Sequence, residues 1–293
     1  MPEPAARTDD HLEVRKTYKL FINGAFPRSE SGRSYEIRSA EGVFRANAAR
    51  ASRKDARDAV VAARGALAGW AGATAYNRGQ VLYRVAEMLD GRTTQFAAEV
   101  AAAEGLSRGR ARRVVEAAVD RWVWYAGWAD KFAQVVGSAN PVAGPYFNFS
   151  IPEPTGVVAL LAPQDSSFLG LVSVLAPVVV TGNTAVVVAS QERPLPAVSL
   201  AEVLATSDVP GGVINLLTGH IGELAPVLAA HMDVNAIDLT GIGPAADRSE
   251  LEALAADNVK RTFMQTDDWS KEPTVSRLKA FVEIKTVWHP LGV

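Results

Sequence analysis

Gly156-Val157-Val158-Ala159-Leu160-Leu161, Thr184-Ala185-Val186-Val187-Val188-Ala189, Val213-Ile214-Asn215-Leu216-Leu217 and Ala236-Ile237-Asp238-Leu239 are four short apolar runs separated by segments of helical length. None alternates apolar with polar residues, so each reads as a strand covered on both faces. The intervening segments predict helices over Phe168–Val180, Pro196–Thr206, Gly222–Ala230 and Ala245–Ala255, with a fifth strand at Arg261–Gln265. Strand and helix in strict alternation predict an α/β fold with a parallel sheet and helices on both sides.

Toward the N-terminus, Asn23-Gly24 stands between apolar residues and predicts a tight hairpin, with a further extended piece at Ser34–Ser39. Apolar residues at helical spacing predict helices over Lys54–Trp70, Asn77–Asp90, Phe96–Glu104 and Arg110–Val135. Trp122, Trp124, Tyr125 and Trp128 in the last of these read as packing residues, and Arg108–Arg113 as a solvated face. The segment Val136–Pro154, rich in Pro, Gly, Asn and aromatic residues, reads as a linker or projecting hairpin. Beyond the fifth strand, Asp267–Pro273 is a polar connection whose adjacent carboxylates, Asp267 and Asp268, are expected to be solvated. Leu278–His289 then alternates like an amphipathic strand. It has no neighbour in sequence for a hairpin and is expected to seek a partner sheet.

Composition narrows the function classes. The net charge of −2 gives no global pull toward nucleic acid or anionic membrane. The apolar run Leu169–Ala189 is broken by Pro177 and the Gly182-Asn183-Thr184 turn, so neither piece is long enough to cross a bilayer. Met1–Glu13 lacks the apolar stretch of a signal peptide, and a cytoplasmic location is the expectation. The chain contains 0 cysteines, which excludes disulfides, thiolate-bound metals and any thiolate nucleophile within it. His11, His220, His231 and His289 lack ligand spacing, so no metal site is expected. Ser166 and Ser167 stand without the Gly-x-Ser-x-Gly context of a nucleophile elbow.

A set of short motifs runs in order through nearly the whole chain. They are Leu20-Phe21-Ile22-Asn23-Gly24, Glu153-Pro154-Thr155-Gly156-Val157-Val158, Gly182-Asn183-Thr184 and Pro210-Gly211-Gly212-Val213-Ile214-Asn215. Thr218-Gly219, Leu239-Thr240-Gly241 and Phe281-Val282-Glu283-Ile284-Lys285-Thr286-Val287 complete the series. Together they resemble the NAD(P)-dependent aldehyde dehydrogenase superfamily. The resemblance implies a Rossmann-like parallel sheet with flanking helices, preceded by an N-terminal helical segment. It also implies an oligomerisation hairpin near Pro141–Glu153 and a C-terminal oligomerisation strand, Phe281 to Val287, that crosses to a neighbouring subunit.

By the same resemblance, the family's catalytic domain is missing. The family continues its fifth cofactor strand into Glu-Leu-Gly-Gly and a separate domain carrying the nucleophilic cysteine. Here that place reads Gln265-Thr266-Asp267-Asp268, and the C-terminal strand begins about a dozen residues later. The implied organisation is a leader over 1–17, strands and helices over 18–135 and the hairpin or linker over 136–155. A cofactor-type unit over 156–265, a connector over 266–277 and the C-terminal strand over 278–293 follow.

Loss of a nucleophile that works as part of a unit costs on the order of a millionfold in rate. The family's oxyanion-hole asparagine falls on Asp165, whose carboxylate would repel a developing oxyanion. Its general-base glutamate falls on Gln265, which takes no proton. The lysine and glutamate that hold the adenosine ribose fall on Val188 and Gln191. Loss of one charge-assisted bond costs roughly 1.5–3 kcal/mol, or about ten- to a hundredfold in affinity. Pro163, Val188, Gln191, Thr240, Gly241 and Gly243 thus mark a degenerate cofactor site, with no bound cofactor expected beyond weak NAD(P). Gly241-Ile242-Gly243-Pro244-Ala245-Ala246 follows a strand and is expected to open a helix, so it reads either as a dinucleotide turn or as a purely structural one.

The resulting expectation is a catalytically inactive family member that acts as a structural or regulatory subunit. Its partner would be a full-length aldehyde dehydrogenase in a hetero-oligomer, or a copy of itself. The alternative is a residual NAD(P)-binding protein that acts on aldehydes only when a partner supplies the catalytic domain.

Overall fold

The computed structural model describes residues 15–243 and 246–292, so nearly all of the leader expected over 1–17 lies outside the described residues. A small sheet comes first: β1 (Thr17–Tyr18), β2 (Ser34–Arg38) and β3 (Phe44–Ala49), in the order β1-β3-β2. Between β1 and β2 the Asn23-Gly24 hairpin forms as expected. Both residues are left-handed (φ 54° and 73°), and Ile22 and Ala25 exchange two backbone bonds of 3.0 Å. The same arm pairs Phe21 with Leu216 and so covers an edge of the parallel sheet.

The helices α1 (Arg53–Gly72), α2 (Ala75–Asp90), α3 (Thr93–Glu104), α4 (Arg108–Ala126) and α5 (Phe132–Val136) follow. The single helix expected over Arg110–Val135 is thus two, because the chain turns at Gly127. Trp122 and Tyr125 are buried in the core while Trp124 and Trp128 pack at its margin. The arginines of Arg108–Arg113 are exposed.

Next comes a hairpin, β4 (Ser138–Asn140) and β5 (Tyr146–Pro154). Strand and helix then alternate: β6 (Val157–Leu161), α6 (Leu169–Val180), β7 (Thr184–Val188), α7 (Leu195–Leu204), β8 (Ile214–Leu217), α8 (Ile221–Ala230), β9 (Ala236–Asp238), α9 (Arg248–Ala256) and β10 (Arg261–Phe263). The five strands form one parallel sheet in the order β10-β9-β6-β7-β8. Alternate side chains of each strand enter two different cores. Val158, Leu160, Ala185 and Val187 pack with α2, α4 and α6, whereas Val157, Ala159, Leu161, Val186 and Val188 pack with α1 and α8. Every residue of α6 is buried, which explains its membrane-like apolarity. No helix among the described residues is long and apolar enough to cross a membrane.

The chain closes with α10 (Ser276–Ala280) and β11 (Val282–Pro290). One expectation fails here. The C-terminal segment is not a strand from Leu278, because Ser276–Ala280 is helical and carries Arg277 and Leu278 into the core. The strand itself finds a sheet within its own chain: β11 pairs antiparallel with β5 along its whole length, giving a sheet of order β11-β5-β4. Phe281, grouped in the sequence with the assembly strand, is buried against Phe263, and Val282 is buried too. Asn183 ties the two sheets together. Its side chain accepts from Gly156 N (2.7 Å) and donates to Phe281 O (2.8 Å).

Candidate functional site

In an open parallel sheet, ligands enter at the carboxyl ends of the strands where the strand order reverses. Here that switch point lies between β6 and β9, with β7 and β8 leading one way and β10 the other. The residues at these ends are Ala162-Pro163-Gln164-Asp165 after β6, Ala189-Ser190-Gln191 after β7, Leu239-Thr240-Gly241 after β9 and Met264-Gln265 after β10.

Their polar groups are largely committed to one another. The Gln164 side chain spans the gap, its Nε2 donating to Ala162 O (2.6 Å) and its Oε1 accepting from Gln191 N (2.9 Å). Gln191 Oε1 accepts from Ile221 N (3.2 Å) and so serves the open N-terminus of α8. Val188 is fully buried in the α1/α8 core, which leaves no route for a polar head group from that position. Pro163 is buried against Gly170. Asp165 is exposed, and only its backbone carbonyl is engaged, by Arg193 (3.1 Å). Ser166 Oγ accepts from Gly170 N, and Ser167 donates to Glu104 through both its hydroxyl (2.7 Å) and its N–H (2.8 Å).

The glycine turn presses on the first strand. Gly241 N donates to Leu161 O (3.0 Å), and a Cβ on Gly241 would meet Ala162 O at 2.0 Å. Only glycine fits that approach, whatever else the turn does. Gly243 is left-handed (φ 58°). Pro244 and Ala245 lie outside the described residues, but α9 begins at Arg248, later than expected. Asp247 caps it, accepting from Ser249 N (2.8 Å). A carboxylate therefore occupies the helix terminus that a pyrophosphate would favour.

A dense polar cluster joins the sequence candidates Thr240 and Gln265 to two residues the sequence did not single out, Arg277 and Asp238. Arg277, on α10, is almost wholly buried beside the end of β9 and β10. It bonds Asp238 Oδ2 (2.9 Å), Asp267 Oδ2 (2.7 Å), Thr240 Oγ1 (3.3 Å) and Gln265 O (3.2 Å), and its guanidinium lies 5.3 Å from the Phe263 and Trp269 ring centroids. Asp238 also accepts from Thr240 N (2.8 Å). Burial pushes the Asp238 carboxyl up from its ordinary range, opposed by Arg277 and the Thr240 bonds. Arg121 of α4 clamps the connector from the other side, bonding Ser173 Oγ (2.7 Å), Trp269 O (3.1 Å) and Lys271 O (2.9 Å). Gln265 Nε2 donates to Asp267. Asp267, expected to be solvated, is instead held by Arg277 and Gln265; Asp268 is the exposed member of the pair. One signal of this cluster was legible: Asp238 sits in a strand buried on both sides, where a carboxylate needs a partner. Which cation answers it was not.

The architecture is that of a Rossmann-type α/β protein with a closed strand-end crevice and an appended antiparallel sheet. Residues 27–267 match the model of the aldehyde dehydrogenase family, and the chain belongs to that family. It is similar to an aldehyde dehydrogenase of Alternaria alternata, with 30% identity over 285 residues that make up 96% of this chain and 56% of the relative. It is also similar to human retinal dehydrogenase 2, with 31% identity over 264 residues, 87% of this chain and 49% of the relative. Among solved structures, the NAD+ complex of aldehyde dehydrogenase from Bacillus cereus shares the fold with a TM-score of 0.78 at 24% identity, over 85% of this chain and 50% of that one. The chain spans about half the length of these relatives.

Proposed function

We propose that this 293-residue chain is catalytically inactive by itself and serves as a structural or regulatory subunit in an aldehyde dehydrogenase assembly. The observation that carries the reading is the absence of any cysteine, since covalent aldehyde oxidation begins with thiolate attack. Asp165 and Gln265 add to it: an exposed carboxylate at the first position cannot donate to an oxyanion, and the amide at the second, bonded to Asp267, cannot act as a general base.

The strand-end crevice also argues against a resident NAD(P). Gln164, Gln191 and the α9 terminus already have intrachain partners, and Val188 is apolar and buried. These residues do not fit a dinucleotide, and no step is assigned to one. The low cysteine usage is in keeping with a cytoplasmic setting.

Recovery of the chain from its native source, followed by mass spectrometry of what accompanies it, is expected to return a full-length aldehyde dehydrogenase. The purified chain is expected to show no NAD(P)-dependent turnover of aldehydes. Turnover by the chain alone would overturn the reading. Residual cofactor binding remains a second reading, favoured by the Rossmann-type sheet and the left-handed Gly243 turn. Calorimetric titration decides it: no heat is expected at millimolar NAD or NADP, and submillimolar binding would establish the second reading in its place.

A further inference from the structure

Arg121 is only 7% exposed, yet its hydrogen bonds reach neutral acceptors alone: the Ser173 hydroxyl and the Trp269 and Lys271 carbonyls. A guanidinium withdrawn from water calls for an anion, because neutral acceptors return only part of the lost solvation. The carboxylates nearby are assigned elsewhere. Asp238 and Asp267 are both bonded to Arg277, and Asp268 lies 3.8 Å from Lys271. Glu272 acts on Arg121 from the connector but forms no ion pair with it among the described residues. Burial accordingly holds the Arg121 guanidinium below its ordinary pKa.

Arg121 also borders a cavity. About 150 Å³ lies beneath the connector, between α4, α6 and α10, with Arg121, Tyr125, Ser173 and Lys271 in its wall. Tyr125 follows Arg121 by one helical turn and so shares its side of α4. Among the described residues the Tyr125 hydroxyl has no hydrogen-bond partner. Two N–H groups of Arg121, on Nε and Nη1, are likewise without a protein acceptor. The wall thus offers donors and positive charge. A volume of 150 Å³ corresponds to about five water-sized groups at roughly 30 Å³ each, the bulk of phosphate or a short carboxylate.

We propose that this cavity binds a small oxyanion, with Arg121 and the Tyr125 hydroxyl donating to it and Lys271 adding charge from the connector. The chemistry recognised is that shared by phosphate and carboxylate, namely negative oxygens that accept several hydrogen bonds. Binding and connector order are coupled, since the guanidinium that meets the anion also holds Trp269 O and Lys271 O. Glu272 competes for the same positive charge, so Glu272→Gln is expected to tighten binding.

Sodium phosphate and sodium acetate, titrated calorimetrically into the full chain at constant ionic strength, are the two probes. At least one is expected to saturate with a dissociation constant at or below about 1 mM. The bound ion should slow amide exchange over 267–273 and raise the melting temperature saturably, unlike the unsaturating effect of salts excluded from the surface. Tyr125→Phe removes one donor and no hydrogen bond of the fold, and should weaken binding about tenfold. Arg121→Lys keeps the charge but loses the planar donor set, and should weaken it at least about tenfold. Circular dichroism identifies any variant that has lost its fold, and Tyr125→Phe keeps the test available if the arginine variant has. Phosphate saturating where acetate fails assigns a phosphate-bearing ligand, and the reverse assigns a carboxylate. No saturation with either ion, or binding that both variants leave unchanged, would overturn the proposal. Neither result bears on recovery of a full-length aldehyde dehydrogenase from the native source, so this inference and the proposed function fail separately.

Discussion

The two sheets of this protein treat their polar groups in opposite ways. At the carboxyl ends of the parallel sheet, where a ligand crevice would lie, side chains turn inward: Gln164 bridges two loops, Asp247 caps α9, and Arg277 neutralises Asp238 and Asp267. In the β11-β5-β4 sheet the outer edge and both faces stay open, with Tyr146, Phe147, Ile284 and Trp288 exposed. Closure in one place holds the fold together, while exposure in the other leaves the edge of β11 uncovered within this chain. A buried ion pair is costly to break, whereas an exposed strand edge contributes little until something covers it.

That contrast can be broken most forcefully at Arg277. Arg277→Met leaves the buried Asp238 carboxyl without its cation, and urea denaturation should register a loss of about 3–5 kcal/mol. Adding Asp238→Asn should recover much of it, because an amide without a cation is far cheaper to bury. A loss below about 1 kcal/mol would mean the closed end is less essential than its bonding implies. Asn183→Ala tests the link between the two sheets. It strands Gly156 N and removes a partner of Phe281 O, and a loss of about 2–4 kcal/mol is expected in the same measurement.

Tyr125 offers a pH test of the closed region. Burial raises its hydroxyl to about 12 in the folded chain, above its ordinary value of 10.0. The unfolded chain therefore releases this proton first, and stability present below pH 10 should fall as pH rises toward 12, by on the order of 2–3 kcal/mol. Tyr125→Phe should flatten that part of the profile; an unchanged slope would assign the effect to other groups. The smallest effect belongs to the open sheet. Lys285→Ala removes an exposed pair with Glu153 (3.0 Å), and less than about 1 kcal/mol should be lost.

Most of the parallel sheet was legible because its signals are local. Val157–Leu161 and Ala185–Val188 are continuous apolar runs and Ile214–Leu217 is interrupted only by Asn215, and a strand covered on both faces has few other readings. The Asn23-Gly24 turn was legible for the same reason: two left-handed residues in succession require that chemistry. The α9 start was misplaced because a Gly-Pro-Ala-Ala stretch looks helical until the Asp247 cap is seen to begin the helix later. At the strand ends, the sequence placed Val188 and Gln191 after β7 but did not show that Gln191 would serve α8.

The sequence by itself determined the family, the α/β class, the order of the strands along the chain and the absence of a thiolate, since each depends on residue type and spacing. Only the tertiary structure decided that Arg277 belongs to Asp238, that Arg121 holds the connector, and that β11 lies against β5. Those partners are separated by 39, 148 and 136 positions in the pairs Asp238–Arg277, Arg121–Trp269 and Ser150–Thr286. Periodicity reports which face a side chain takes but not what stands opposite it. The physical reason is that a buried charge or an unpaired strand edge specifies only the kind of partner it requires, and chain topology chooses which one arrives.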